Sequence, residues 1–418
     1  MASGAHRTRP LADGPRPRLL VLASTYPRWQ GDAEPGFVHQ LARRLVGAFD
    51  VAVLCPHAAG APTDEEMDGV RVKRYRYAPS RFETLVNDGG IVTNLRRNPV
   101  KWLLVPGFLL GQFVALLKLR ASWRPDIIHA HWIIPQGIVV ALAGVLSRGA
   151  PPFVVTSHGA DLFALRRVPW PALKRFVLRR ANAATVVSGA MHEALERLGV
   201  EMERVGINPM GVDLDALFTP DPGVVRSPNE ILFVGRLVEK KGLRHLIAAM
   251  PEIVRELPSA RLTIVGFGPD EAGCKAQVHR LGLQEHVSFT GAVPQASLPG
   301  LYRRAAVFVA PFVEASSGDQ EGLGLVMVEA AACECPVIAS DLPAVRHVSR
   351  DAGIRLVEPG CPAALAKAVC AVLASPPDGK VLSKAREALR LKYDWSVVAE
   401  QYASILSGSA HRARQERH

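Results

Sequence analysis

The chain has 418 residues, 48% apolar and 21% charged, a globular mixture that excludes general disorder and suits two domains rather than one. Its net charge of +11 is uneven: residues 1–225 carry 27 Lys and Arg against 19 Asp and Glu, and residues 226–418 carry 23 against 20. Such a surface would suit an anionic membrane or an acidic substrate, or be no more than a scattered solvated one, and no nucleic-acid-binding signature accompanies it.

In chain order, residues 1–16 are polar, lack the apolar core of a secretory signal and are predicted to be a disordered leader. Short apolar runs then alternate with helical patterns. Candidate strands fall at 18–24, 50–55, 126–131, 152–157 and 184–188, then at 231–235, 261–266, 286–291, 306–311, 335–340 and 354–358. These runs are continuous rather than alternating, as in strands covered on both faces. Helical patterns lie between them, at 37–49 and 243–257 for example, so parallel α/β sheets are expected. Two apolar stretches, 102–117 and 132–146, are interrupted by Pro106, Gln112, Pro135 and Gln136 and fall short of the ~20 residues of a spanning helix. Buried helices are the favoured reading. The first stretch is flanked by Arg96, Arg97, Lys101, Lys118 and Arg120, so its alternative is a helix lying on a membrane surface. The Pro- and Gly-rich stretch 218–230 is predicted to link a domain over 17–217 to one over 231–395. A helix over 396–407 is expected to pack back on the first domain, with 408–418 a disordered tail. The six dispersed cysteines read as buried thiols rather than a disulfide framework.

Ligands of doubly wound sheets sit at the carboxyl ends of the strands, so two facing domains put the site in the cleft between them. In the first domain these ends carry a long loop leading to Gly36 and Phe37, and TSHGADL (156–162) with His158, Gly159 and Asp161. In the second, FVGRLVEKKGLRHL (233–246) brings Arg236 and Lys241 to a helix start, where two cations and free N–H groups suit a diphosphate. The bland reading is a solvated basic loop, and Lys240 is expected to be solvated. VGFGPDE (265–271) offers Gly266 and Gly268 for close approach of a nucleotide, or merely for a turn. The third glycine of a dinucleotide fingerprint is missing, because Glu271 stands there.

The most specific segment is EGLGLVMVEAAACECPVIAS (321–340). Glu321 and Glu329 would lie about 12 Å apart along a helix, too far to flank one glycosidic bond as hydrolase carboxylates do. The spacing suits one acid near a sugar and one near a ribose, with N–H groups of Gly322, Leu323, Gly324 and Leu325 turned to phosphates between them. A capped amphipathic helix with two solvated acids is the alternative.

Together these residues resemble the GT-B glycosyltransferases of family 4, over roughly residues 18–407. The stretch NPMGVDLDALF (208–218) adds to the resemblance. It implies a GT-B fold of two Rossmann-like domains, the first acceptor-side and the second nucleotide-sugar-binding. It also implies retaining transfer of a hexose-type sugar from a nucleotide diphosphate sugar to a glycan, lipid-linked or small-molecule acceptor. Glu329 would bind the ribose, Glu321 the donor sugar, Arg236 and Lys241 the diphosphate, His158 the sugar and phosphate, and Gly36 would approach donor and acceptor. The leaving phosphate would help deprotonate the acceptor. No metal and no cofactor beyond the donor substrate are expected, nor a nucleic-acid partner. A cytoplasmic location follows, peripheral on the inner membrane face if the apolar helix docks there. Two departures stand out: Glu334 where many relatives have glycine, and GDAEPGF in place of a double glycine in the first loop. Competing readings are a sugar-nucleotide epimerase on the same fold and a non-catalytic membrane-associated binding protein.

Overall fold

The computed structural model describes residues 15–32, 36–87, 90–147, 149–163 and 169–415. Most of the expected leader and the last three residues lie outside that range. The first sheet contains β1 (Arg18–Leu22), β2 (Asp50–Pro56), β3 (Asp64–Met67), β4 (Val70–Tyr75), β5 (Ile127–His131), β6 (Phe153–Ser157), β7 (Ala183–Val186) and β8 (Val205–Ile207). Its order is β3-β4-β2-β1-β5-β6-β7-β8. The second contains β9 (Glu230–Val234), β10 (Arg261–Val265), β11 (Val287–Gly291), β12 (Val307–Ala310), β13 (Val337–Ser340) and β14 (Arg355–Val357), in the order β11-β10-β9-β12-β13-β14. Both are parallel apart from the β3–β4 hairpin. In each, the strand order reverses beside the first strand, so the crevice for a ligand opens at the ends of β1 and β9.

All eleven expected strands form. Three others do not show in the apolar pattern. Hairpin β3–β4 is too charged to read as buried, and its signal is turn chemistry: Asp68 and Gly69 both have positive φ, 49° and 78°, the requirement of a tight hairpin turn. Strand β8 is a three-residue edge. Strand β11, expected to be covered on both faces, is an edge strand in which only Val287 is buried and Ser288 and Thr290 are exposed.

The chain crosses back after the second sheet. Gly211 makes room: a Cβ there would lie 2.5 Å from the Trp395 ring. The helix Trp395–Gln415 then lays Val398, Tyr402 and Leu406 in the core beneath β1, with Leu19 and Val21, and the Tyr402 hydroxyl donates to Asn208 O at 3.0 Å. The expected tail is a correction. The helix runs on through 408–415 because Ser409, Ala410 and Ala413 continue its buried stripe and Arg414 reaches Asp126 at 2.6 Å.

The apolar stretch 102–117 is a second correction. It lies in a short turn, Pro99–Leu103, and a helix, Leu104–Ser122. Only Phe108, Gln112, Leu116 and Leu119, one row of that helix, are buried. Gly107 and Gly111 let this row seat tightly, since Cβ atoms there would lie 2.5 and 2.6 Å from the carbonyls of Tyr77 and Arg76. The opposite face exposes Leu103 (80%) and Leu110 (64%), and Leu142, Val145 and Leu146 on the neighbouring helix are exposed as well. One helix face has room on the sheet, and a uniformly apolar helix has no polar side to turn outward.

Candidate functional site

A cleft of about 1240 Å³ opens between the two sheets, more than the roughly 300–1,000 Å³ that one small ligand needs. Gly36, Phe37, Trp132 and His158 line it from the first domain, and Arg236, Lys241, Glu321, Leu323, Gly324, Leu325 and Glu329 from the second. Nine of the twelve residues expected at the site therefore line the cleft, and Gly266, Gly268 and Gly322 do not; Trp132 joins them from the first domain.

 Gly322 sits where the two domains touch: a Cβ there would come 2.7 Å from the His158 carbonyl oxygen.

In the second domain, β9 ends and the chain turns through Gly235 to Arg236, whose guanidinium has no hydrogen-bond or ion-pair partner among the described residues. Lys241 closes the turn Glu239–Lys241. Gly242 follows with φ +67°, and a Cβ there would lie 1.7 Å from Pro311 O, so the exit of β12 is clamped against the cationic loop. Lys241 Nζ lies 2.7 Å from the Glu321 carboxylate and 4.7 Å over the Phe312 ring. Burial works against the Glu321 charge, but Lys241 and Lys240 outweigh it and hold the carboxyl down at about 2. Lys240, expected to be solvated, is a correction: it is 15% exposed and pairs with Asp319 at 3.2 Å, which ties down the loop that carries Glu321.

The helix Leu325–Ala332 begins after Gly324, at φ +82°, with no side-chain cap. Glu321 therefore precedes the helix, and a spacing measured along a helix axis does not apply to the pair. The Met327 N–H closes on Gly324 O at 2.9 Å, and no side chain caps the N–H groups of Leu325 and Val326, residues that line the cleft. Glu329 lies in the second turn, 8% exposed, and accepts a hydrogen bond from the Tyr302 hydroxyl at 3.0 Å. Burial lifts its carboxyl to about 7, with the Tyr302 bond and Lys241 pulling the other way. Neither acid is a solvated surface group. Tyr302 was not legible as a site residue: it is fully buried on the helix Leu298–Arg304, and nothing in its spacing links it to Glu329.

Gly266 and Gly268 do approach something closely, but it is the chain itself. A Cβ at Gly266 would lie 1.9 Å from Gly235 O, and one at Gly268 2.4 Å from Leu237 O. They press the β10 loop onto the Arg236 loop, as the turn reading of these glycines expects, and neither lines the cleft.

On the first-domain side, Gly36 opens the helix Phe37–Leu45 at φ −89°, a conformation open to any residue, so only the space in the cleft favours glycine there. His158 follows β6, with its ring 4.9 Å from Phe37 and 5.0 Å from Trp132. Burial, with a further push from His129, lowers it to about 3, so it is neutral at physiological pH. Asp161 accepts from Ile133 N at 2.7 Å and Ser157 Oγ at 2.8 Å and binds the β5 and β6 exits together.

Two family models match the chain: "Glycosyl transferases group 1" over residues 228–375 and "Glycosyltransferase Family 4" over 37–216. The GDP-mannose-dependent alpha-(1-6)-phosphatidylinositol monomannoside mannosyltransferase of Mycolicibacterium smegmatis is 32% identical, over 95% of this chain and 100% of that protein. Glycogen synthase of Mycobacterium tuberculosis is 28% identical over 95% and 96%. Among solved structures, sucrose-phosphate synthase from Thermosynechococcus elongatus superposes with a TM-score of 0.76 at 21% identity, covering 96% of this chain and 100% of that one. Anabaena HepE in complex with UDP-glucose does so with a TM-score of 0.71 at 18% identity, over 94% and 99%. The two-sheet architecture is the GT-B fold.

Proposed function

The chain belongs to glycosyltransferase family 4, and we propose that it moves a hexose-type sugar from a nucleotide diphosphate sugar to a lipid-linked acceptor at a membrane surface. One observation carries the reading. Arg236, unpartnered among the described residues, the Lys241–Glu321 pair and the buried Glu329 share one cleft with His158 of the other domain. Glu329 takes the ribose hydroxyls, Arg236 and Lys241 the diphosphate, and Glu321 the hydroxyls of the sugar. The Lys241–Glu321 pair holds both groups in place before the donor arrives, so little reorganisation accompanies binding.

As the sugar bond breaks, charge gathers on the leaving phosphate. Arg236, Lys241 and the free N–H groups at the start of the helix Leu325–Ala332 face that charge in a partly dehydrated cleft, where such stabilisation is strongest. The acceptor attacks from the same face, with retention, and passes its proton to a leaving phosphate oxygen.

The acceptor class rests on the first domain. Ile91, Leu95, Val105 and Leu109 give the cleft an apolar wall, and Trp102 continues it outward to the exposed Leu103 and Leu110. Arg96, Arg97, Lys118 and Arg120 flank that apolar stretch in the sequence. An apolar band edged by cations suits an anionic bilayer, and the Mycolicibacterium relative is named for a phosphatidylinositol lipid.

The test incubates the full chain with labelled UDP- and GDP-sugars and with phosphatidylinositol or polyprenyl phosphate in vesicles. Transfer to a lipid, with retained configuration by NMR of the product, is the expected outcome. Epimerised or hydrolysed donor without transfer would reject the assignment. In flotation at low salt, the double substitution Leu103→Glu, Leu110→Glu should abolish binding to anionic vesicles. A wild-type chain that does not float would reject the membrane half.

A further inference from the structure

Behind His158 stands a second histidine for which the proposed reaction has no direct use. His131 is the last residue of β5 and is fully buried. Its ring lies parallel to that of His158, at an interplanar angle of 10° and a centroid distance of 5.1 Å. Its Nδ1 is 2.9 Å from His158 Nε2. On the far side its Nε2 is buried with no partner among the described residues.

That asymmetry decides where the protons sit. A neutral imidazole carries one N–H and one lone pair, and the bond made by one nitrogen sets the state of the other. A proton on His131 Nε2 would be a buried N–H without an acceptor, which native structures rarely tolerate. A lone pair there is the cheaper orphan. We infer that His131 is a positioning residue that donates its Nδ1–H to His158 Nε2, locking His158 as the Nδ1–H tautomer with that single donor turned to the cleft. A proton on His158 Nε2 would instead have to meet a lone pair on His131 Nδ1 and force the orphan N–H, so the arrangement also opposes a cationic His158.

The surroundings hold the ring in this pose. Phe37 and Trp132 pack against His158. His129, behind His131 at a centroid distance of 4.2 Å, is anchored by Nε2 to Thr156 Oγ1 at 2.7 Å, and Thr156 in turn pairs with Thr185 at 2.6 Å. The chemical consequence is specific. His158 reads an oxygen lone pair, on a sugar hydroxyl or a phosphate, and has no free lone pair on the cleft side with which to act as general base toward the acceptor. This consequence rests on the donor-binding reading of the cleft. The tautomer itself does not, and it is measured without substrate.

The experiment is two-bond 15N–1H correlation on the full chain labelled with 15N-histidine, with the His158 signals assigned by their loss in His158→Gln. The expected pattern for His158 is a protonated Nδ1 and an unprotonated Nε2. His131→Phe keeps a ring but removes the donor: His158 should move toward the Nε2–H tautomer, and the donor KM should rise about tenfold with a smaller change in kcat. His131→Gln restores an N–H donor and should return both readouts most of the way. A wild-type spectrum with His158 protonated on Nε2 would overturn the proposal even if neither variant folds. So would a folded His131→Phe protein in which the His158 tautomer is unchanged. Failure of sugar transfer with the expected tautomer in place would overturn only the functional reading of the cleft.

Discussion

Replacing Glu329 by glutamine should make the unliganded protein more stable at pH 8 while weakening its hold on the donor. The carboxyl is 8% exposed, and burial lifts it from 4.5 to about 7. A lift of that size corresponds to about 3 kcal/mol at ~1.4 kcal/mol per pH unit. Because the folded value lies above the unfolded one, the protonated carboxyl favours the fold. That stability is fully present below pH 4.5 and is lost as pH rises through about 7. Glutamine carries no charge and still accepts from the Tyr302 hydroxyl, so it suffers no such loss. The gap between variant and wild type should be near zero at pH 4.5 and grow to about 3 kcal/mol at pH 8. Urea denaturation of both proteins across that range measures it. Titration with nucleoside diphosphates should show weaker binding by the variant, since an amide offers one acceptor oxygen where the carboxylate offers two. An equal gap at both ends of the range, or a variant less stable at pH 8, would refute the reasoning.

Lys241→Met removes the partner of Glu321 from a pair whose side chains are 13% and 14% exposed. Breaking such a pair costs about 3–5 kcal/mol, seen as a lower urea midpoint at pH 7. The wild-type contribution of Glu321 is present above pH 4.5 and lost as pH falls through about 2, so the difference should shrink in acid, and an unchanged midpoint at pH 7 would reject the pairing. Glu334 holds φ +57° at the end of the helix Leu325–Ala332, where its N–H reaches Ala331 O at 3.0 Å. A left-handed non-glycine residue there costs about 1–2 kcal/mol, so Glu334→Gly should raise stability by roughly 0.5–1 kcal/mol after the extra chain entropy of glycine, with transfer activity unchanged. A lower melting temperature would count against it.

The parallel two-domain fold was legible because apolar runs at strand length, separated by helical patterns, are a local signal. The cleft residues of the second domain were legible for a related reason: Arg236 lies just past a strand end, Lys241 and Glu321 shortly before a helix and Glu329 one turn into it, near where a doubly wound sheet must present its ligand groups. Even the β3–β4 hairpin left its mark, in Asp68-Gly69 rather than in apolar residues.

What sequence could not decide were the contacts between segments far apart in the chain. Nothing near Gly266 says that the backbone it must admit is Gly235 rather than a nucleotide. Tyr302 and Glu329 are 27 residues apart, and their bond exists because two helices meet. The apolar stretch 102–117 fits a core helix as well as a surface one, and only the sheet beneath it settled that a single row is buried. The two acids of the segment 321–340 look alike in sequence. Tertiary structure set one beside Lys241, which holds its carboxyl at about 2, and buried the other, which lifts its carboxyl to about 7 against the pull of the Tyr302 bond. Local pattern therefore determined which residues would reach the cleft, because strand ends and helix starts are written in neighbouring residues. The charge and partner of each were decided by packing, because electrostatics and burial depend on distance through space.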